Sequence, residues 1–253
     1  MLFATFIISV SMQIFTVLVV AKKPSYFPTC YRNDPEPELS TCLLNGFKIL
    51  KPYLHNGIPE IGLLPLNPLL LSKVEISQSM SYANYSVIVD NFTVWGFNNY
   101  NIKEFKYNPH TMNFHGEIEY DKLIITAGAY NISGQIILIP LEGTGHAEGI
   151  LGPLSGIFNI DGNITKKNGV DYYNTTNVQV YLHIVDGSYF LSSLFDNNIP
   201  KTRATNELLN VNSKLLTEVI TPMFEELAKL GIRNLMASLT DAIPYNQMFP
   251  LEK

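Results

Sequence analysis

"ATNELLNVNSKLLTEVITPMFEELAKLGIRNLMASL", residues 204–239, decides the fold, because it predicts a single long amphipathic helix. Charged side chains lie off one face of this helix, and apolar side chains recur along that face at helical spacing. The apolar positions are Leu208, Leu215, Val219, Met223, Leu227 and Leu230. The pattern indicates a helix of about 25 to 30 residues, broken or kinked at Pro222, which is long for a globular protein.

The segment that precedes this helix, residues 74–186, has a period of two. In "MNFHGEIEY", residues 112–120, apolar Phe114 and Ile118 alternate with polar neighbours, and "VQVYLHIVD", residues 178–186, repeats the pattern. Turn signals such as "YNPH" and "EGTG" separate the runs, and no helical pattern comes between them. The segment therefore predicts an antiparallel meander.

Together the two parts predict an α+β fold in which a highly curved antiparallel sheet wraps the long C-terminal helix. A strongly curled sheet has to bury its concave face, and the long helix is the only sizeable partner for it. Sheet and helix would thereby enclose an elongated apolar interior. Residues 36–57, "EPELSTCLLNGFKILKPYLHNG", predict a further, N-terminal helix. The proline-rich "LHNGIPEIGLLPLNPLLL", residues 54–71, would then lead into the sheet with its leucines packed inward. It would either seal one end of that interior or serve only as a buried connector.

The first 21 residues, "MLFATFIISVSMQIFTVLVVA", contain no charged side chain and are apolar for long enough to span a bilayer. They predict either a signal peptide or an uncleaved anchor. The small residues Val19 and Ala21, followed at once by lysines, favour a signal peptide over residues 1–21 that is cleaved after Ala21. Residues 22–253 would then form a single domain.

Two further features agree with secretion to the extracellular space. The only cysteines are Cys30 and Cys42, and two lone cysteines in an oxidising compartment most simply pair with each other. The chain also has five sequons for N-glycosylation, which predict a glycoprotein. Their asparagines are Asn84, Asn91, Asn131, Asn163 and Asn174.

A glycan has to project into solvent, so the sequons also orient the strands. Asn84 facing outward puts Tyr85 inward, whereas Asn91 facing outward puts Phe92 inward, which is the opposite parity. Either one of these two sequons is unused, or a bulge near Asp90 switches the faces of the strand.

Composition and motifs exclude several classes of function. A formal charge of -5 argues against binding to nucleic acid and to anionic membranes. His110 and His115 are five residues apart in a strand region and so face opposite ways, and no cluster has the spacing of metal ligands. Ser155 in "GPLSG" does not fit a nucleophile elbow, and the glycines of "EGTGHAEG" precede no predicted helix that could bind a nucleotide. These observations favour a binding protein without metal or cofactor over an enzyme.

A binding site in this architecture would lie among the inward residues of the sheet and helix. Specificity would rest on the length of the interior and on one or two polar groups, most simply tyrosine hydroxyls. The candidate lining residues, each of which could instead be packed core, are Val87, Phe92, Phe114, Ile118, Val180, Leu182, Val219 and Met223.

Several stretches resemble the insect takeout and haemolymph juvenile hormone-binding protein family. "FPTCYRNDPEPELSTCL", residues 27–43, is similar to its N-terminal disulfide segment, and residues 54–71 are similar to its "GIPELGIPPLDPL"-like signature. "SGQIILIPLEGTG", residues 133–145, and "AIPYNQMFP", residues 242–250, are similar to a strand and to the C-terminal end of family members. The resemblance covers essentially the whole chain after residue 21, and departs from the family at Asn67, where aspartate is common.

The resemblance implies a tubular lipid-binding fold and a secreted carrier whose internal tunnel takes juvenile hormone, a fatty acid, a terpenoid or a similar ligand. Two alternatives stay open. One is a secreted, glycosylated interaction protein with a packed interior and no ligand. The other is an esterase, which would need a serine, a histidine and an acid bordering the cavity.

Overall fold

The computed structural model describes residues 23–80 and 82–252, in which helices stand at both ends of a run of strands. The predicted signal peptide at residues 1–21 lies outside the described residues. The helices are α1 (Glu36–Leu54), α2 (Ile199–Val211), α3 (Ser213–Ala242) and α4 (Tyr245–Met248). The strands are β1 (Leu69–Met80), β2 (Ala83–Trp95), β3 (Asn101–Asn108), β4 (Asn113–Tyr120), β5 (Leu123–Ile136), β6 (Ile139–Leu151), β7 (Leu154–Lys167), β8 (Val170–Ile184) and β9 (Gly187–Leu191).

The strands form two antiparallel sheets. One has five strands in the order β1-β2-β5-β6-β9, and the other has four in the order β3-β4-β7-β8. The predicted antiparallel, curved α+β architecture is therefore confirmed, but the simple meander is wrong. Strand β2 pairs with β5 and strand β4 pairs with β7, so the β3–β4 hairpin leaves the first sheet and starts the second.

A row of irregularities bends the five-stranded sheet around the helix. In β2 the buried positions are odd up to Val87 and even from Phe92 onward, and Asn91 between them has a positive φ of 54°. Strand β5 changes faces at the same level, where its pairing with β6 shifts between Ala127 and Tyr130. Two neighbouring strands thus carry an extra residue together, which kinks the sheet.

The same bend resolves the conflict between the sequons on β2. Asn84 and Asn91 are both exposed, because the strand switches faces between them. The asparagines of the remaining sequons, Asn131, Asn163 and Asn174, are also exposed. All five could therefore carry a glycan without burying it.

Helix α3 packs against both sheets. Leu216, Ile220 and Phe224 in its first half pack on the five-stranded sheet, and Met236 in its second half packs on the four-stranded sheet. Thirty residues long, it is continuous through Pro222, and none of the described helices is both long and apolar enough to cross a bilayer.

The predicted helix breaks at Asn212 and not at Pro222. The Asn212 side-chain amide donates to the Leu208 carbonyl oxygen (2.8 Å), which ends α2, and the Asn212 carbonyl then accepts from Leu216 N–H (2.9 Å) in the first turn of α3. On either side of this break the buried leucine comes one residue later than predicted. Leu209 and Leu216 are buried, whereas Leu208 and Leu215 are about half exposed.

The N-terminal segment is tied to α1 and to the C-terminus. The predicted disulfide Cys30–Cys42 is present and joins the segment to α1. The guanidinium of Arg32 donates to Asn246 Oδ1 and to the Phe249 carbonyl oxygen, both at 2.8 Å, and Arg32 N–H donates to the Pro250 carbonyl oxygen at 3.0 Å.

Residues 54–71 form a buried connector with its own small core. Ile58, Ile61 and Leu63 are almost fully buried and pack with Ile243 after the end of α3. The expectation that all its leucines point inward is wrong for Leu64 and Leu70, which are 71% and 54% exposed. The connector therefore holds the end of α3 against the start of the sheet.

Candidate functional site

An apolar cavity of about 150 Å³ lies between the concave face of the five-stranded sheet and the first half of α3. Strands β1, β2, β5, β6 and β9 form one wall, and residues of α2 and α3 form the other. The bend in β2 and β5 positions this wall, since it turns Val87 on one side of the kink and Phe92 on the other toward the same helix. For comparison, an engineered apolar cavity of about 150 Å³ takes up benzene or xenon.

Three of the eight predicted lining residues lie on the cavity wall. Val87 and Phe92 contribute from β2, and Met223 contributes from α3. Val219 is buried in the core beside the cavity but does not line it.

The four predicted residues on β4 and β8 lie elsewhere, because those strands belong to the other sheet. Phe114 and Val180 are buried in the core of the four-stranded sheet, with Leu182 partly buried against them. Ile118 is partly buried against the first core, outside the cavity wall. A period of two identifies the inward face of a strand but does not say which sheet the strand joins.

Three tyrosines contribute to the wall, whose exposed surface is almost entirely apolar. Tyr130 donates from its hydroxyl to the Ser192 carbonyl oxygen, and the Tyr189 hydroxyl is 2.6 Å from Thr217 Oγ1. The Tyr85 hydroxyl is buried and has no hydrogen-bond partner among the described residues. Desolvation raises the pKa of all three to about 12, so they are uncharged donors at neutral pH. Alternation opposite Asn84 predicted an inward Tyr85, and the sequon at Asn131 carries the same signal for its neighbour Tyr130, whereas no such signal marks Tyr189.

Charge is scarce around the cavity. Within the described part of the chain, its lining includes no lysine, arginine or histidine, and Glu148 is the one ionisable carboxyl. Glu148 and its neighbour Phe190 are exposed, so they mark where the cavity comes nearest to solvent. No serine is found among these described lining residues either, so they do not include the serine and histidine of the esterase alternative.

The four-stranded sheet brings together three side chains that could ligate a metal ion but lack metal-ligand spacing in the sequence. Ligand atoms of Glu104, His115 and Glu117 lie within 4.8 Å of one another, because β3 and β4 are paired. Glu104 already forms an ion pair with Lys106, whose hydrogen bond lowers the pKa of that carboxyl. His115 Nδ1 lies 2.9 Å from Asn159 Oδ1. Paired in this way, the groups form an ion-pair network on the surface.

Residues 4–250 match the family described as haemolymph juvenile hormone binding protein (JHBP). The chain belongs to this family. Its fold is similar to that of Takeout 1 from Epiphyas postvittana, with a TM-score of 0.72 and 19% identity over 88% of this chain and 99% of that one.

Over 124 residues the chain is also 26% identical to the circadian clock-controlled protein daywake of Drosophila yakuba. That match covers 49% of this chain and 48% of daywake, so the chain spans about half the length of the curated relative that it matches. The match to the family as a whole, which runs over nearly the entire chain, confirms the resemblance found in the sequence.

Proposed function

We propose that the protein is a secreted carrier that binds a small hydrophobic ligand in the cavity between the five-stranded sheet and α3. The observation that carries the proposal is the cavity itself, which is apolar and lies in the interior of a member of a family of binding proteins. A fully packed interior, which the alternative of a ligand-free interaction protein requires, would leave no such space.

The energetics support binding without any charged contact. Burial of about 400 Å² of apolar ligand surface contributes roughly 10 kcal/mol gross, and association costs about 4 kcal/mol or more. Micromolar affinity, about -8 kcal/mol, therefore lies within reach of hydrophobic burial with a modest polar contribution. The cavity is smaller than the roughly 300–1,000 Å³ of drug-sized pockets, so the ligand has to be slender, or flexible side chains such as Met223 have to turn aside.

The first test is native mass spectrometry of the protein secreted from insect cells, followed by organic extraction of whatever is released. We expect a stoichiometric lipophilic molecule, or uptake of a fluorescent lipid probe by the extracted protein. A protein that carries nothing and takes up no probe would contradict the carrier function and favour a glycosylated interaction protein.

The same sample tests secretion. We expect a mature N-terminus at Lys22, after cleavage behind Ala21, and a loss of mass on removal of N-glycans. An N-terminus that retains residues 1–21 would mean that this segment is an anchor.

Met223→Trp tests the site. Met223 lines the cavity from the middle of α3, and an indole ring there would occupy the space of the ligand. We expect the affinity for the probe to fall at least tenfold while secretion and folding are retained. The matched control is Leu230→Trp on the same helix, where the side chain is 41% exposed and lies outside the cavity. Equal affinities for the two variants would remove Met223 from the site.

A further inference from the structure

Two carboxylates face each other across β3 and β4, on the side of the four-stranded sheet that is turned away from its core. Glu104 on β3 is paired directly with Glu117 on β4, and like charges in this position repel each other. Lys106 forms an ion pair with Glu104, whereas Glu117 has no ion pair among the described residues. The ion-pair network around Glu104 therefore leaves Glu117 without a cation.

A β-bulge creates this juxtaposition. The pairing of β3 with β4 shifts between Ile102 and Glu104, so that Lys103 is an extra residue in β3. Without the extra residue, regular pairing would place Glu104 opposite Gly116, whereas the bulge places it opposite Glu117. Bulges re-aim side chains in this way and are frequent next to functional sites.

His115 adds a nitrogen ligand to the two carboxylates. It precedes Glu117 by two residues on the same face of β4, and its Nε2 is 3.7 Å from Glu104 Oε2. Its other ring nitrogen, Nδ1, lies 2.9 Å from Asn159 Oδ1 on β7. An amide oxygen can only accept, so Nδ1 carries the proton and Nε2 presents its lone pair. A metal-binding histidine donates its second ring N–H to an oxygen in the same way.

The distances suit a small transition-metal ion. Ligand atoms of Glu104, His115 and Glu117 all lie within 4.8 Å of one another. Two ligands of a tetrahedral zinc ion are about 3.4 Å apart, and the 3.7 Å between Nε2 and Oε2 is close to that value. Lys106 leaves this oxygen free, because it contacts the other oxygen of Glu104, Oε1.

We propose that Glu104, His115 and Glu117 form a zinc site on the four-stranded sheet, with a fourth position open to water. Bound zinc supplies the positive charge that Glu117 lacks, and it joins β3 to β4 and, through Asn159, to β7. The proposal departs from the expectation, drawn from sequence spacing, of a protein without a metal. Because the apolar cavity lies against the other sheet, the zinc site is independent of the proposed carrier function.

Calorimetric titration of the untagged, EDTA-treated full chain with Zn²⁺ tests the site. We expect one equivalent of Zn²⁺ to bind, and Mg²⁺ and Ca²⁺ to bind more weakly, because an imidazole ligand suits zinc and not these two ions. Free Zn²⁺ at one hundredfold its dissociation constant should also raise the unfolding temperature by about 5–10 °C.

His115→Gln removes the nitrogen ligand. We expect it to weaken the binding of Zn²⁺ at least tenfold and to abolish the rise in unfolding temperature under the conditions that saturate the wild-type protein. The matched control is His110→Gln in the turn between β3 and β4, where the side chain is exposed and lies outside the cluster. This variant should bind Zn²⁺ as the wild-type protein does.

Asn159→Leu tests the positioning of the imidazole, since it keeps all three ligands and removes only the hydrogen bond to Nδ1. Loss of such a hydrogen bond costs about 10–100-fold in metal affinity, with the stoichiometry unchanged. Asn159→Asp should restore the affinity, because a carboxylate oxygen also accepts from Nδ1.

Three results would overturn the zinc site. Absence of both binding and stabilisation in the wild-type protein would mean that the cluster is an ion-pair network only. Full affinity in His115→Gln, or equal affinity of the wild-type protein for Ca²⁺, would mean that exposed carboxylates hold the ion without a built site. If His115→Gln does not fold, the nitrogen chemical shift of Nε2 in wild-type His115 decides, and an unchanged shift on addition of Zn²⁺ would overturn the site. The carrier function stands or falls separately, because these titrations involve neither a lipid nor the cavity.

Discussion

At the scale of single residues, two glycines in the connector show how closely the backbone packs there. Gly57 and Gly62 both have a positive φ, 77° and 69°, a conformation that favours glycine. A Cβ on Gly57 would collide with the Leu63 carbonyl oxygen and with the backbone of residues 64–65, whereas a Cβ on Gly62 would meet nothing within 4 Å. The first glycine is thus required by both conformation and space, and the second by conformation alone.

Gly57→Ala and Gly62→Ala separate these two costs. We expect Gly62→Ala to lower the free energy of unfolding by about 1 kcal/mol, through backbone strain alone. Gly57→Ala should lower it by about 3 kcal/mol, because steric overlap with main-chain atoms adds to the strain. Denaturant unfolding of the two variants measures the difference, and equal losses would mean that the backbone around Gly57 yields easily.

At the scale of elements, helix α2 closes the free edge of the five-stranded sheet. Asn206 Oδ1 accepts from Leu191 N–H and Asn206 Nδ2 donates to the Leu191 carbonyl oxygen, both at 2.8 Å. Asn210, one helical turn later, makes the same pair of bonds to Tyr189, at 2.9 and 2.7 Å. Two side-chain amides thereby replace the next strand, and they satisfy backbone groups that would otherwise be open to pairing with another chain.

Asn206→Leu should expose this edge. We expect it to lower the free energy of unfolding by about 1–3 kcal/mol, since the N–H and carbonyl groups of Leu191 both lose their partner. Hydrogen exchange at the Leu191 amide should accelerate at least tenfold. The control is Glu207→Gln, which removes only the exposed ion pair with Arg203 and should cost less than 1 kcal/mol. Unchanged protection of Leu191 in Asn206→Leu would show that α2 does not hold the edge.

At the scale of the whole molecule, buried tyrosines link stability to alkaline pH. Desolvation raises the pKa of Tyr85, Tyr100, Tyr130 and Tyr189 from 10.0 to about 12. Between these values the unfolded chain has released protons that the folded chain still holds. The free energy of unfolding is therefore unaffected below about pH 10 and falls as the pH rises above it.

We expect the free energy of unfolding to be nearly constant up to about pH 9 and to decline steeply between about pH 10 and 12. Each of these tyrosines contributes a slope of at most about 1.4 kcal/mol per pH unit. Denaturation at a series of pH values measures the decline, and tyrosinate absorbance follows the ionisation. Tyr85→Phe should show a shallower decline than the wild-type protein. Complete ionisation of the folded protein near pH 10 would contradict the expectation.

The sequence predicted those features that depend on local chemistry. Cys30 and Cys42 could be paired because the chain has no other cysteines, and Val87 and Phe92 could be placed inward because alternation and sequons set the faces of β2. The helix break at Asn212 depends on one side-chain hydrogen bond, which periodicity does not show.

What the sequence did not predict depends on contacts between distant residues. Phe114 and Val180 face inward as expected but toward another sheet, since the pairing of β4 with β7 is non-local. The lack of a partner for the Tyr85 hydroxyl is likewise visible only once every neighbouring side chain is placed.

The contacts of Arg32 with Asn246, Phe249 and Pro250 also bear on the order of events during synthesis. A ribosome completes both sheets before it makes α3, so the concave faces have no partner while the strands emerge. Arg32 is synthesised early, whereas the carbonyl groups that it contacts, those of residues 249 and 250, are synthesised only after α3. Since these contacts join residues far apart in sequence, their closure is slow compared with helix formation. Closure of the molecule therefore comes after the synthesis of residues 249 and 250, and until then the apolar faces of the nascent sheets are prone to aggregation.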